Sequence, residues 1–308
     1  MTLRRVLLVT KRSAYETYAE DLRDPRFLAL VRKKDPKARS LLASHREHYL
    51  TLGAVQKALD RVGASTDRLS RGEVFDDAAY DLVVAVGGDG TFISAAHQIR
   101  TTPILGVNSS PRDSVGFFCG PTRKNAERVL DQVCRGRAPL SFLHRLVTEI
   151  DGVRVPQPAL NDVLYAHENT AAMARYRLIV RGVREEQKSS GVWIGPPAGS
   201  RAALGSAGGR RLPLCARKFQ FVVREPYQEK GRSYRLRKGV LGPKDTLEIE
   251  SHLGHGKVFI DGPHVCYDVP FGGSITVRLS ECPLPVVAFR DPDQALGGKR
   301  RGPLSRGS

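Results

Sequence analysis

Gly87-Gly88-Asp89-Gly90-Thr91 concentrates the chemistry of this 308-residue chain. Three glycines flank one acid, directly after the apolar run Leu82-Val83-Val84-Ala85-Val86. Glycine admits positive φ and lets the backbone approach a ligand closely. A helix that starts here offers unpaired N–H groups to phosphate. Asp89 then lies at the carboxyl end of a strand, where open α/β sheets bind ligands. A carboxylate among phosphate-binding amides can take the proton of an attacking hydroxyl or hold that hydroxyl in line. The same residues also fit an ordinary tight turn with Asp89 as helix N-cap. No Lys-Ser or Lys-Thr pair follows, so the loop is not a Walker A phosphate loop.

The elements that must position this loop are legible in the apolar spacing. Residues 6–9 read as a buried first strand and 81–86 as a strand covered on both faces. Residues 13–62 are mainly helical by pattern, with interruptions at Pro25 and Pro36; 41–59 has helical spacing and Gly63 is a stop. A helix is predicted from about Thr91 to Ile99, a strand over 103–107, a loop over 108–116 and a helix over 125–134. Strands alternating with helices imply a parallel sheet with crossover helices. Beyond about residue 138 the texture changes to short β-rich pieces at 146–150, 176–180, 219–223, 246–249, 258–260 and 274–279. The expected fold is thus an α/β N-terminal domain with a parallel sheet (1–138) and a mostly β C-terminal domain (139–290). Residues 291–308 form a basic tail with the composition of a disordered segment.

The net charge of +17 favours polyanionic partners such as nucleotides, nucleic acid or anionic lipid, or reflects solubility alone. The cysteines 119, 134, 215, 266 and 282 are odd in number and contain no C-x-x-C pair, which fits free thiols in a reducing compartment. No apolar stretch approaches the roughly 18 residues of a membrane helix. The N-terminal apolar run is too short for an export signal, so a cytoplasmic protein is expected. His252 and His255, spaced i, i+3 in a glycine-rich turn, read as solvated rather than metal-binding, and Trp193 reads as packing.

Gly87 to Thr91 resembles the signature shared by NAD kinases and the diacylglycerol and sphingosine kinases. Further segments are similar to the NAD kinase branch. Pro103 to Asn108 resembles its strand and Gly-x-Asn turn, and Leu160-Asn161-Asp162-Val163 its Asn-Glu-Val motif. Ala198-Gly199-Ser200 with Ser206-Ala207-Gly208-Gly209 resembles its Thr-Gly-Ser and Ser-Ala-Gly-Gly segment, and Ile260-Asp261-Gly262 its late Asp-Gly turn. The loop 108–116, Gln187 to Gly191 and Arg224-Glu225-Pro226 are similar to the mitochondrial branch.

The resemblance implies ATP-dependent phosphorylation of NAD at the adenosine ribose 2′-hydroxyl, giving NADP. It implies Asp89 as the catalytic carboxylate and an NAD site that includes Gly87, Gly88, Asp89, Gly90, Thr91, Gly199 and Ser200. Asn161 would bond the adenosine half, Asp162 (Glu in the family) the ribose hydroxyls, and Ser190 would stand where many members place an Asp for the nicotinamide ribose. Ala198 replaces a Thr, Arg201 a Thr or Lys, and Ala203 a Tyr or Trp, so an aromatic contact is lost. Mg²⁺ would be held mainly through ATP phosphates, with no protein metal site. A homo-oligomer of at least two subunits is implied, with no membrane and no specific nucleic acid as partner. Arg112, Lys188 and Arg201 lie in loops where they could neutralise substrate phosphates or remain solvated. Two other readings stay open at this point: a lipid kinase of the same superfamily, and a non-catalytic basic protein that binds nucleotide or nucleic acid.

Overall fold

The computed structural model of the chain describes residues 3–227 and 233–289. The expected basic tail, 291–308, lies outside the described residues.

The first sheet runs in the order Ser65–Ser70, Arg5–Thr10, Leu82–Gly87, Ile104–Asn108, Leu284–Val287, Leu140–Leu143. Its pairs are parallel except the last, which is antiparallel. The central strands are apolar on both faces because both faces are covered. On one face, Leu52, Val55 and Leu59 of the helix Pro36–Arg61 and Val129 and Leu130 of the helix Ala126–Cys134 pack on Leu8, Val84 and Val107. On the other, Phe92 and Ile93 of the helix Asp89–Ala96 pack on Leu7, Val9 and Ala85. Leu160 and Ala198 join this second cluster, so the β-rich part shares a core with the face that carries the glycine loop.

Pro25 and Pro36 start helices rather than interrupt one. Each stands just inside a helix whose N-cap, Asp24 or Asp35, accepts backbone N–H bonds through its side chain. Proline is suited to that position because its missing N–H has no partner to lose there. Gly63, at φ +73°, follows the end of the helix Pro36–Arg61.

The β-rich part is a sandwich of two antiparallel six-stranded sheets. One has the order Val183–Ser189, Ala174–Val180, Leu247–Ser251, Ser274–Leu279, Leu146–Ile150, Val153–Arg154. The other has Lys238–Leu241, Phe219–Arg224, Gly191–Gly195, Val163–His167, Gly256–Ile260, Cys266–Val269. Tyr176, Leu178, Ile249 and Val277 of the first sheet meet Val192, Ile194, Phe219 and Val258 of the second in one core. Two strands from beyond residue 138, Leu140–Leu143 and Leu284–Val287, complete the parallel sheet instead.

Candidate active site

The strand Leu82–Gly87 delivers the glycine loop to the carboxyl edge of the parallel sheet. The helix begins at Asp89, two residues before the expected start, and Gly88 is its N-cap, with no side chain capping it. Asp89 is therefore a first-turn residue and not the cap. None of Gly87, Gly88 or Gly90 has a left-handed φ, so these glycines are required by space and not by backbone conformation. A Cβ on Gly87 would sit 2.3 Å from Thr91 Oγ1, one on Gly88 2.6 Å from Ser114 Oγ, and one on Gly90 3.3 Å from Arg71 Nη1.

The Asp89 carboxylate accepts the Phe118 amide at Oδ1 (2.9 Å) and the Phe117 amide at Oδ2 (3.0 Å). Those amides are aimed by the loop 109–116. Asn108 Nδ2 donates to the Ser114 carbonyl at 3.2 Å, and Ser110 N donates to Asn108 Oδ1 at 3.0 Å. Gly116 then turns with φ +62°, where a Cβ would lie 2.2 Å from Asn108 Nδ2. Each carboxylate oxygen keeps a second lone pair, so Asp89 is held in place while still able to accept a substrate hydroxyl.

The Asn161-Asp162 turn is fixed by Asp261. Its Oδ1 accepts the amides of Asn161 (2.6 Å) and Asp162 (2.9 Å); its Oδ2 accepts that of Leu160 (2.8 Å) and lies 2.8 Å from His97 Nε2. His97 caps the end of the glycine-loop helix, so Asp261 ties the helix to the turn. Asp261 itself sits at φ +52°, a conformation aspartate tolerates better than most residues. The Asp-Gly turn at 261–262 is recognisable in the sequence, but its anchoring role is not. A short-side-chain acid before glycine is the available signal.

The 3₁₀ turn Ala198–Arg201 packs on the same loop, since a Cβ on Gly199 would lie 1.5 Å from the Asn161 carbonyl oxygen. Ser200 is buried; its hydroxyl donates to the Pro197 carbonyl (2.6 Å) and accepts the Leu212 amide (3.1 Å). It braces the turn. Arg201 Nη1 donates to the Leu212 carbonyl (2.9 Å), and its guanidinium lies 5.9 Å from the Phe117 ring, beside the residue that holds Asp89.

Asp162 and Ser190 line one cavity of about 240 Å³ together with Trp193, Arg224 and Phe259. Asp162 is buried, and burial, with a smaller contribution from the Asp261 charge, pushes its carboxyl up to about 7. The Ser190 hydroxyl lies 2.5 Å from Glu225 Oε2. Trp193 does more than pack: its ring lines this cavity, with the Arg224 guanidinium 5.5 Å from its centroid. Arg112 is on an exposed loop, Lys188 Nζ sits 4.0 Å over the Tyr227 ring, and Arg201 is bonded to its own loop. His252 and His255 each face a carboxylate, Glu186 and Glu168 respectively, both at 3.2 Å.

A parallel α/β sheet with a glycine loop at its carboxyl edge, docked on an antiparallel sandwich through a shared core, is also the fold of solved NAD and NADH kinases. The NAD kinase of Archaeoglobus fulgidus in complex with ATP superposes with a TM-score of 0.67 at 20% identity, over 96% of this chain and 97% of that one. Yeast NADH kinase complexed with NADH gives 0.66 at 17% identity, over 99% and 91%. In sequence, residues 28–138 match the ATP-NAD kinase N-terminal domain family. A probable NADH kinase of Oryza sativa subsp. japonica is 30% identical, over 92% of this chain and 96% of that protein. NADH kinase of Arabidopsis thaliana is 30% identical, over 66% and 71%. The chain belongs to the NAD kinase family.

Proposed function

We propose that the protein transfers the γ-phosphoryl group of ATP to the adenosine ribose 2′-hydroxyl of NAD or NADH. The observation that carries this reading is the joining of two separate segments by one buried carboxylate. Asp261 binds both the Asn161-Asp162 turn and the helix whose first turn presents Asp89. Acceptor nucleotide and attacking hydroxyl are thereby positioned by one rigid unit. Asn161 would bond the adenosine half, and Asp162 and Ser190 would bind ribose hydroxyls in the cavity they share. The side chain of Asn161 has no partner within the chain among the described residues, which leaves its amide for a ligand.

In the transfer step the 2′-oxygen attacks the γ-phosphorus. The new O–P bond forms as the bond from that phosphorus to the β–γ bridging oxygen breaks, and ADP leaves. The hydroxyl proton passes to Asp89 and then to solvent. Mg²⁺ would arrive on the donor's phosphates and neutralise charge there.

The active form in this proposal is a homo-oligomer. The Asn161 and Ser200 loops are ordered within the subunit, so a neighbour is not needed to fix them. Val153 and Phe271 of the β-rich part are exposed apolar side chains. A cytoplasmic location is part of the proposal, and the five free cysteines support a reducing compartment.

Purified protein incubated with NAD or NADH, ATP and Mg²⁺ should form NADP or NADPH, read by an enzymatic cycling assay. Phosphorylation of diacylglycerol or sphingosine with no turnover of either dinucleotide would overturn the reading. Sedimentation at assay concentration checks the oligomer; a fully active monomer refutes it.

A further inference from the structure

The loop 109–116 aims the two amides that hold Asp89, yet its own tip has little to anchor it. Pro111, Arg112 and Asp113 are exposed, and Val115 is 94% exposed, so no apolar side chain of the tip is buried in a core. Hydrogen bonds at the base of the loop set its course instead. The Ser109 amide donates to the Gly87 carbonyl at 2.9 Å, which ties the base to the strand that carries the glycine loop. Two further ties come from the helix Pro36–Arg61, 66 and 61 positions earlier in the chain.

Ser44 Oγ lies 2.9 Å from Ser110 Oγ. The Ser110 hydroxyl donates its one proton to Asp113 Oδ2 at 2.7 Å, so Ser44 is the donor between the two serines. One turn further along the helix, His48 Nδ1 lies 2.9 Å from Ser109 Oγ, and both residues are fully buried. His48 Nε2 is buried as well and has no hydrogen-bond partner among the described residues. Burial, with the Lys11 charge second, pushes the ring down to about 4 and keeps it neutral. A buried ring nitrogen without a partner costs stability, and a leucine would extend the apolar helix face of Leu52 and Val55 without that cost. Packing therefore does not account for a histidine here, whereas the contact of Nδ1 with Ser109 does. Beyond the base, the Ser110 carbonyl accepts the amides of Asp113 (3.1 Å) and Ser114 (3.0 Å), and the Gly116 carbonyl accepts that of Cys119 (3.0 Å). With the Asn108 bonds to Ser110 and Ser114, these carry the order of the base to the Phe117 and Phe118 amides on Asp89.

We propose that His48, assisted by Ser44, is a positioning residue for phosphoryl transfer: it fixes the base of the loop 109–116 so that the Phe117 and Phe118 amides keep the Asp89 carboxylate aimed at the acceptor hydroxyl. This assignment rests on the kinase reading. His48 acts by geometry and moves no proton, because its ring stays neutral. A misaimed reacting group loses rate in the chemical step, while contacts that only bind substrate are untouched.

The test uses the full chain and the variants His48→Leu, His48→Asn and Ser109→Ala, each also combined with Asp89→Asn, with thermal melts to confirm folding. His48→Leu should lower kcat about tenfold and leave KM for ATP and for the dinucleotide within about twofold. His48→Asn, whose side-chain amide can occupy the place of Nδ1, should recover most of that loss. In the Asp89→Asn background the leucine change should alter kcat by less than about twofold, since the residue it serves is gone. Should His48→Leu fail to fold, Ser109→Ala removes the other side of the same contact and carries the same expectation. An unchanged kcat, KM values that rise in step with the loss, or the full tenfold loss in the Asp89→Asn background overturns the assignment. If the parent protein turns over no dinucleotide, the kinase reading fails separately. Amide hydrogen exchange then decides the tie: the Phe117 and Phe118 amides should exchange about tenfold faster in His48→Leu, and equal rates in the two proteins refute it.

Discussion

The glycine loop and the Asn161-Asp162 turn each place a carboxylate where the two halves of the molecule meet, and they treat it in opposite ways. At the loop, backbone amides of Phe117 and Phe118 point at Asp89, the residue assigned to the chemistry. At the turn, the backbone amides of Leu160, Asn161 and Asp162 point away, to Asp261, and Asp162 is left buried with its carboxyl pushed up to about 7. One region orients the acid proposed for the chemistry directly. The other uses a second acid as the structural anchor and leaves the acid proposed for the ribose short of partners. Asp89 is half-buried and held by two amides, whereas Asp162 is buried and receives none, which leaves it open to a ligand's hydroxyls.

The largest way to break this contrast is Asp89→Asn. The variant should fold, and kcat should fall about 10²- to 10⁴-fold, as for a positioned acid–base group. Steady-state kinetics beside circular dichroism decide it; near-normal kcat would reduce Asp89 to a turn residue.

Gly199→Ala attacks the turn from its packing side. The added methyl would meet the backbone carbonyl oxygen of Asn161 at 1.5 Å, with no flexible group to yield. It should cost about 3 kcal/mol of stability or more and raise KM for NAD with it. Gly254→Ala, where nothing lies within 4 Å, is the matched control and should change neither. Urea unfolding and kinetics on both variants check this.

A third test sharpens the comparison through pH. Asp162 titrates at about 7 in the folded chain, above its ordinary unfolded value of about 3.9. The unfolded chain therefore loses this proton first, and stability falls as pH rises from about 4 to about 7, then levels. The fall is at most about 4 kcal/mol across that window, at about 1.4 kcal/mol per pH unit. Asp162→Asn should remove that slope and be the more stable protein at about pH 8, while binding NAD less well. Denaturant midpoints across about pH 4 to 8 measure it; parallel curves for the two proteins would show that Asp162 is not the titrating group.

Much of the parallel half is legible in the sequence because its strands are buried on both faces and read as unbroken apolar runs. The run 81–86 corresponds to the strand Leu82–Gly87 with little change. Edge strands are not legible. Ser65–Ser70 and Val183–Ser189 are polar and charged, since an outer strand meets solvent along its length, and neither has an apolar signature. Trp193 reads as packing because a lone aromatic carries no pattern; its place on the cavity wall depends on the pairing of Gly191–Gly195 with Val163–His167.

Local sequence determined the glycine loop, the helix starts at Pro25 and Pro36, and the family-like segments at 160–163 and 198–200, since each depends on neighbours within a few residues. Tertiary structure alone decided which groups those segments meet. Leu284–Val287 returns across more than a hundred residues to lie beside Ile104–Asn108. Asp261 reaches back to amides about a hundred positions earlier. Thr10 lies between Ser70 and Val86 only when three parallel strands align in register. Such contacts are set by burial and hydrogen bonding between distant strands, and no period or motif within one segment records them.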